Sequence, residues 1–123
     1  MPRTDIDWEK LGFGFSDVNC HVRSVWKDGT WGPLEFVKDP YITMHIGASC
    51  LHYGQECFEG MKAFRQKSGK IVIFRPDENA KRMHRTAVRT VMAPVPEEMF
   101  IEAAEKLVAA NEEFVPPYGT GGS

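Results

Sequence analysis

Read from the N-terminus, apolar and polar positions first alternate and only later repeat at helical spacing. From Val18 to Trp26, the set Val18, Cys20, Val22, Ser24 and Trp26 opposes Asn19, His21, Arg23 and Val25, the period of a half-buried strand. Lys27-Asp28-Gly29-Thr30 contains Asp-Gly, a strong hairpin signal. The chain then returns through Trp31 and Leu34 to Val37, with Pro33 marking an edge or a bulge. Tyr41 to Ile46 alternates again, and Gly47-Ala48-Ser49-Cys50 predicts a small-residue bend. Gln66 to Gly69 is a polar turn, and Lys70 to Phe74 is rich in β-branched residues and completes a second hairpin. The period then changes. Ala80, Met83, Ala87 and Val91 predict a helix from Asp77, an N-cap or first-turn acid, to about Val91. Ala93-Pro94-Val95-Pro96 breaks it. A second helix, Glu97 to about Asn111, buries Phe100, Ala103, Ala104, Leu107 and Val108, with Glu97 and Glu98 at its positive end. Strands in hairpins followed by two helices predict a two-layer α+β domain, a mainly antiparallel sheet covered on one face.

Between the bend and the polar turn lies a stretch that does not read as a plain core strand. Leu51 to Arg65 begins as a turn containing Gly and His and runs into a strand, carrying aromatic rings, two glycines and several ionisable groups. Alternation sets Phe58, Gly60, Lys62 and Phe64 on one face and Glu59, Met61, Ala63 and Arg65 on the other. Glycine inside a strand packs nothing, so Gly60 marks either a bulge or a place where a ligand or another backbone comes close.

Bulk properties narrow the class. A chain of 123 residues is long enough for one core. With 15 basic against 17 acidic residues and no basic stripe interleaved with aromatics, nucleic acid is not an expected partner. No apolar run is long enough to span a bilayer, and Met1 to Asp5 lacks the apolar core of a signal peptide. Three cysteines without a CxxC pair fit reduced thiols in a cytoplasmic setting. His45, Cys50, His52 and Cys57 are metal-ligand types in a span of thirteen residues. Their spacing fits no compact finger, and alternation turns neighbours to opposite faces, so no metal is expected. His52 is expected to hydrogen-bond within its turn, and the cysteines to pack as small apolar groups.

Leu51-His52-Tyr53-Gly54 with Phe58-Glu59-Gly60-Met61-Lys62-Ala63-Phe64-Arg65 closely resembles the signature of branched-chain amino acid aminotransferases, of the class IV, pyridoxal-phosphate-dependent group. Ile73 to Met83 and the ending Val115-Pro116-Pro117-Tyr118-Gly119-Thr120-Gly121 extend the resemblance, which runs from about Asp5 to Ser123 in family order. It implies the smaller, N-terminal domain of such an enzyme, residues 1–123, with 114–123 the start of a connection to a larger domain. The implied parent moves an amino group between Leu, Ile or Val and 2-oxoglutarate through pyridoxal 5′-phosphate, as a cytoplasmic homodimer in branched-chain amino acid biosynthesis.

The resemblance also assigns roles. Arg82, in the matching Asn-Ala-Lys-Arg-Met segment, is implied to hold the cofactor phosphate. A guanidinium suits this, because its planar fork of donors matches phosphate oxygens and stays charged at any working pH. Without the resemblance, Arg82 reads first as a solvated helix arginine, and the motif match reverses that order. Arg85 and Arg89 are read as surface residues. Tyr53 and Phe58 are implied to line the pocket for a branched side chain, with Gly60 letting substrate approach and Lys62 pointing the same way. An aromatic-walled slot discriminates small aliphatic groups by shape. Family dimers complete each site from the neighbouring subunit, which allows Tyr53 to act across the interface. None of the lysines matches the family's cofactor-linking lysine, which belongs to the large domain, so this segment alone is expected to be inactive. Two alternatives stay open: a non-catalytic ligand-binding or assembly module derived from this domain, and a class IV enzyme with another substrate, such as a D-amino acid aminotransferase or an aminodeoxychorismate lyase.

Overall fold

The computed structural model describes residues 1–121; Gly122 and Ser123, the last two positions of the expected connection, lie outside the described residues. Six short strands and three helices follow in the order β1 (His21–Arg23), β2 (Trp26–Lys27), β3 (Thr30–Trp31), β4 (Glu35–Val37), α1 (Ser49–Tyr53), β5 (Ala63–Arg65), β6 (Ile71–Ile73), α2 (Pro76–Arg89) and α3 (Glu97–Ala110). A 3₁₀ turn, Glu112–Phe114, follows. The class is the expected α+β, but the sheet is three antiparallel two-stranded ladders: β1 with β4, β2 with β3, and β5 with β6.

The first two ladders form one long hairpin broken in the middle. Trp26 pairs Trp31 and Lys27 pairs Thr30, leaving Asp28-Gly29 as a two-residue loop with both φ positive, 52° and 82°. That is the turn whose twist matches the strands, and Asp-Gly tolerates it. Beyond it, the Gly32 N–H donates to Val25 O at 2.8 Å and Ser24 Oγ donates to Gly32 O at 2.8 Å. Pro33 cannot continue the ladder, so the predicted strand through Val18–Trp26 is cut at Ser24-Val25. In the second hairpin Arg65 pairs Ile71 across Gln66 to Lys70, with Gly69 at φ 87°.

One expected strand is absent and another is shortened to β5, for want of partners. Tyr41 to Ile46 makes no ladder and is exposed throughout; its entry is set by Asp39 Oδ1 accepting the Tyr41 N–H at 3.0 Å. The expected bend at 47–50 instead opens into α1, which ends where Gly54 takes a left-handed conformation (φ 61°). Residues 55–62 then run extended but unpaired, because β6 is cut short by Pro76 opening α2. Alternation persists through this unpaired run. Gln55, Cys57, Glu59, Met61, Ala63 and Arg65 are half-buried while Phe58, Gly60, Lys62 and Phe64 are exposed.

Helices α2 and α3 pack together, and α3 supports β1. The buried residues are small: Ala80 and Ala87 of α2 and Ala104 of α3, with Cys20 and Val115. Asp77 sits in the first turn of α2 as expected, but the N-cap is Arg75, left-handed at φ 47°. Val91, expected in the core, instead lies just past the Thr90 C-cap of the helix and is 85% exposed, left-handed at φ 58°. Its neighbour's N–H, that of Met92, donates to Ala87 O at 2.9 Å, closing the helix end as a Schellman motif. Leu107, also expected inside, is only partly covered, since it borders a cavity of about 260 Å³ between α3 and the β5–β6 hairpin.

Candidate functional site

The extended run 55–65 is held to α2 and α3 at three points. At its start, Gln55 Nε2 donates to Thr90 O at 2.9 Å and Val91 O at 3.3 Å, binding the orphan carbonyls at the end of α2. At its end, Arg65 is tucked inward, and its Nη2 donates to Glu112 O at 2.8 Å just beyond α3. In the middle, Glu59 turns toward α2. Its carboxylate accepts from Asn79 Nδ2 at 2.7 Å, from Arg82 Nε at 3.0 Å and from Arg82 Nη2. Asn79 and Arg82 lie three residues apart on one helix face, which is why both reach the same carboxylate. Asn79 Nδ2 also donates to Gly60 O at 2.9 Å.

Burial is unequal across this pair. The Glu59 side chain is 5% exposed and that of Arg82 is 61% exposed. Arg82 holds the Glu59 carboxyl below the usual carboxylate range, against the opposing effect of burial, with Asn79 and the Gly60 backbone assisting. The same contact raises the Arg82 pKa further. One edge of the guanidinium fork is therefore committed inward, while its Nη1 end has no partner among the described residues and is open to solvent.

Arg82 is the seventh residue of α2 rather than part of its first turn. The helix terminus therefore adds little to its anion affinity, because the dipole's influence fades within one turn. That first turn already carries Asp77 and Glu78, paired with Arg75 and Lys81. Anion affinity at Arg82 rests on the guanidinium itself. Arg85 and Arg89 are exposed, as expected.

Phe58, Gly60 and Lys62 share the open face with Phe64. Phe58 is 91% exposed and Tyr53 88% exposed, so within this chain these rings wall no closed slot. Tyr53 lines an open hollow with Ser49, Gln55 and Thr90, whereas Lys62 and Phe64 border a separate groove of about 530 Å³ with Val115, Pro117 and Tyr118. A Cβ on Gly60 would meet only the Phe58 ring at 3.6 Å, an ordinary contact, so Gly60 keeps the surface low there without a backbone constraint. His52 Nε2 lies 2.5 Å from Ile46 O, a hydrogen bond within the turn. Cys20 is buried and Cys50 and Cys57 are partly so, all three unbridged. Among the described residues no cluster of His, Cys, Asp or Glu has metal-binding proximity, and no helix is long and apolar enough to cross a membrane.

Glu59 and Asn79 were not among the residues singled out by sequence. The signal was present: a glutamate on the inward side of an alternating run needs a partner, and the Asn-x-x-Arg spacing on the next helix supplies two.

No protein-family model matches the chain. Relatives are nonetheless plain. A branched-chain-amino-acid aminotransferase of Haemophilus influenzae is 45% identical over 95% of the chain and 34% of its own length. A branched-chain amino acid aminotransferase of Glarea lozoyensis is 46% identical over 99% of the chain and 35% of its own length. One from Helicobacter pylori is 39% identical over the whole chain and 36% of its own length. The chain is thus, along nearly all of its sequence, a homologue of branched-chain-amino-acid aminotransferases, and it spans about a third of their length.

Proposed function

We propose that this chain is the small domain of a branched-chain amino acid transaminase, which exchanges an amino group between Leu, Ile or Val and 2-oxoglutarate with pyridoxal 5′-phosphate. The observation that carries the reading is Arg82, a guanidinium fixed along one edge by a buried carboxylate and open along the other. The donor set suits a phosphate: a charged planar fork at the surface, with no acidic group on its free end among the described residues. When bound, the cofactor supplies the electron sink that stabilises negative charge at the substrate's α-carbon. Arg82 anchors its phosphate. Phe58 and Tyr53 present apolar rings, and Gly60 leaves room for a branched side chain between the wall and the strand. Lys62, exposed beside Gly60, offers a cation toward a carboxylate. The open face implies that these walls close only against a further part of the parent polypeptide or a second subunit, and the cofactor-linking lysine belongs to that further part.

The test is a chimera in which this chain replaces the matching third of the Haemophilus influenzae aminotransferase. The expected result is transfer from leucine, isoleucine and valine to 2-oxoglutarate. Arg82→Ala in that chimera should weaken cofactor retention about 10–100-fold, the worth of hydrogen bonds to a charged group. Cofactor affinity unchanged by Arg82→Ala would reject the phosphate role. In the isolated chain, borohydride reduction after adding the cofactor should trap no stoichiometric adduct at a single lysine. Such an adduct would show that the chain carries its own reactive lysine.

A further inference from the structure

Resting on the reading of Arg82 above, we propose that Glu59 and Asn79 are positioning residues: they fix the Arg82 guanidinium so that its outer edge meets a phosphate already aligned. Three observations converge. The Glu59 side chain is almost wholly buried yet ionisable, which is tolerable because its side-chain partners among the described residues are all donors: Arg82 Nε, Arg82 Nη2 and Asn79 Nδ2. Arg82 is long, flexible and mostly exposed, so without this contact its terminal group would sample many rotamers. And Asn79 bonds both the Glu59 carboxylate and Gly60 O, so the clamp that holds the arginine also holds the backbone of the open face at Gly60.

A carboxylate beside a phosphate-binding arginine lowers the local positive potential, so on charge alone it weakens the site. Its gain is geometric. Removing the Nε edge from competition leaves one bonding edge, Nη1 with the outer Nη2 hydrogen, aimed away from the protein. The cost of ordering a rotamer-rich side chain is then met on folding rather than on binding, a saving equivalent to about three- to tenfold in affinity. The link through Gly60 also sets the distance between anchored phosphate and substrate-facing strand, which a loose arginine would leave variable.

The experiment uses the 123-residue chain labelled with ¹⁵N at arginine, the Arg82 Nε–H signal being identified by its loss in Arg82→Lys. In the wild type this proton should exchange slowly with water, and the chain should bind pyridoxal 5′-phosphate better than pyridoxal. Glu59→Ala should speed that exchange about tenfold or more and reduce the preference for the phosphorylated form about three- to tenfold, leaving pyridoxal binding unchanged. Persistent slow exchange in Glu59→Ala would overturn the proposal, and so would fast exchange with the preference intact, since the pair would then be structural only. A wild-type chain with slow Nε exchange and no preference for the phosphorylated form would overturn the phosphate reading of Arg82 while leaving the pairing itself established. If Glu59→Ala does not fold, Asn79→Ala carries the same comparison with a smaller expected change. Slow exchange and full preference there would overturn the role of Asn79.

Discussion

Asn111 and Glu59 are both polar side chains turned inward, and the domain treats them in opposite ways. At the end of α3, Asn111 is buried with both ends of its amide used. Its Oδ1 accepts from Asn19 N at 2.9 Å and Cys20 N at 3.3 Å, and its Nδ2 donates to Cys20 O at 3.0 Å and Leu107 O at 2.9 Å. The Asn111 amide is neutral and covered, joining the segment just before the first strand to the end of the last helix across about ninety residues of sequence. At the middle of the 55–65 run, Glu59 is equally covered, but its partner stands at the surface with a charge facing out. One polar device ties the fold together. The other pairs a covered carboxylate with a cation left mostly exposed.

The sharpest way to break this comparison is at its closed end. Asn111→Ala strips a partner from the Asn19 and Cys20 N–H groups and from Cys20 O, while Leu107 O keeps the backbone N–H of residue 111. It should destabilise the chain by about 3 kcal/mol, read as the shift in a urea unfolding curve at constant slope. A loss below about 1 kcal/mol would mean that the network is replaceable and the two regions are less different than their geometry says.

Acid addresses the other end. The Glu59 carboxyl is held below its ordinary range mainly by Arg82, so the stability it contributes is complete above the unfolded carboxylate pKa of about 4.3 and is lost as pH falls through the lower folded value. The wild type should therefore lose stability steeply on the acid side of about pH 4. Arg82→Ala removes the largest cause of that depression, leaving burial to oppose Asn79, and the acid-side slope should flatten. Unfolding midpoints measured from pH 6 to pH 3 in both proteins decide it. Parallel curves would show that the pair is not coupled in solution.

How much of this was legible from sequence depends on whether the determinant was local. The two hairpin turns were, because Asp28-Gly29 and Gly69 supply positive φ where the turns need it. Helices α2 and α3 were, because their apolar periodicity and flanking prolines are local, whereas the short α1 was read as a bend. The division of 58–65 into two faces followed from alternation, though not which of them is covered, and the side chains keep it even where no ladder forms. What alternation does not encode is pairing. Tyr41 to Ile46 has the pattern of a strand but no partner, and the single expected sheet is three fragments for the same reason. At the candidate site, Phe58, Gly60 and Lys62 do fall on one face, but the enclosure expected around Tyr53 and Phe58 is not made by this chain. Glu59 was placed only on the face opposite Phe58, and its role was not legible because its partner arrives from a different element 23 positions on.

A gentler change separates strain from contact. Val91 is β-branched, exposed and left-handed at the position after a helix where glycine is usual. Its conformation is fixed by the Met92 N–H to Ala87 O bond, while Gln55 occupies the carbonyls beside it. Val91→Gly relieves the left-handed strain, offset by the added freedom of glycine in the unfolded chain, for a net gain of about 1 kcal/mol in thermal or urea unfolding. A loss would place real packing value on the valine side chain.

The smallest expected effect on folding is the one that most directly divides the two regions. Phe58 is nearly fully exposed, so truncating it removes almost no buried area within this chain. Phe58→Ala should change unfolding stability by less than about 0.5 kcal/mol, although a phenylalanine inside a core would cost several times that. In the aminotransferase chimera the same substitution should matter. On the proposed reading, losing this ring widens the slot, and each methylene seated there is worth about 1–3 kcal/mol of discrimination, so the ranking among leucine, isoleucine and valine should shift. A stable Phe58→Ala chain with altered ranking puts the ring in the substrate wall and out of the domain's own core. A clearly destabilised chain would show that the 58–64 face is packed in solution, and the exposed aromatic would then belong to the fold after all.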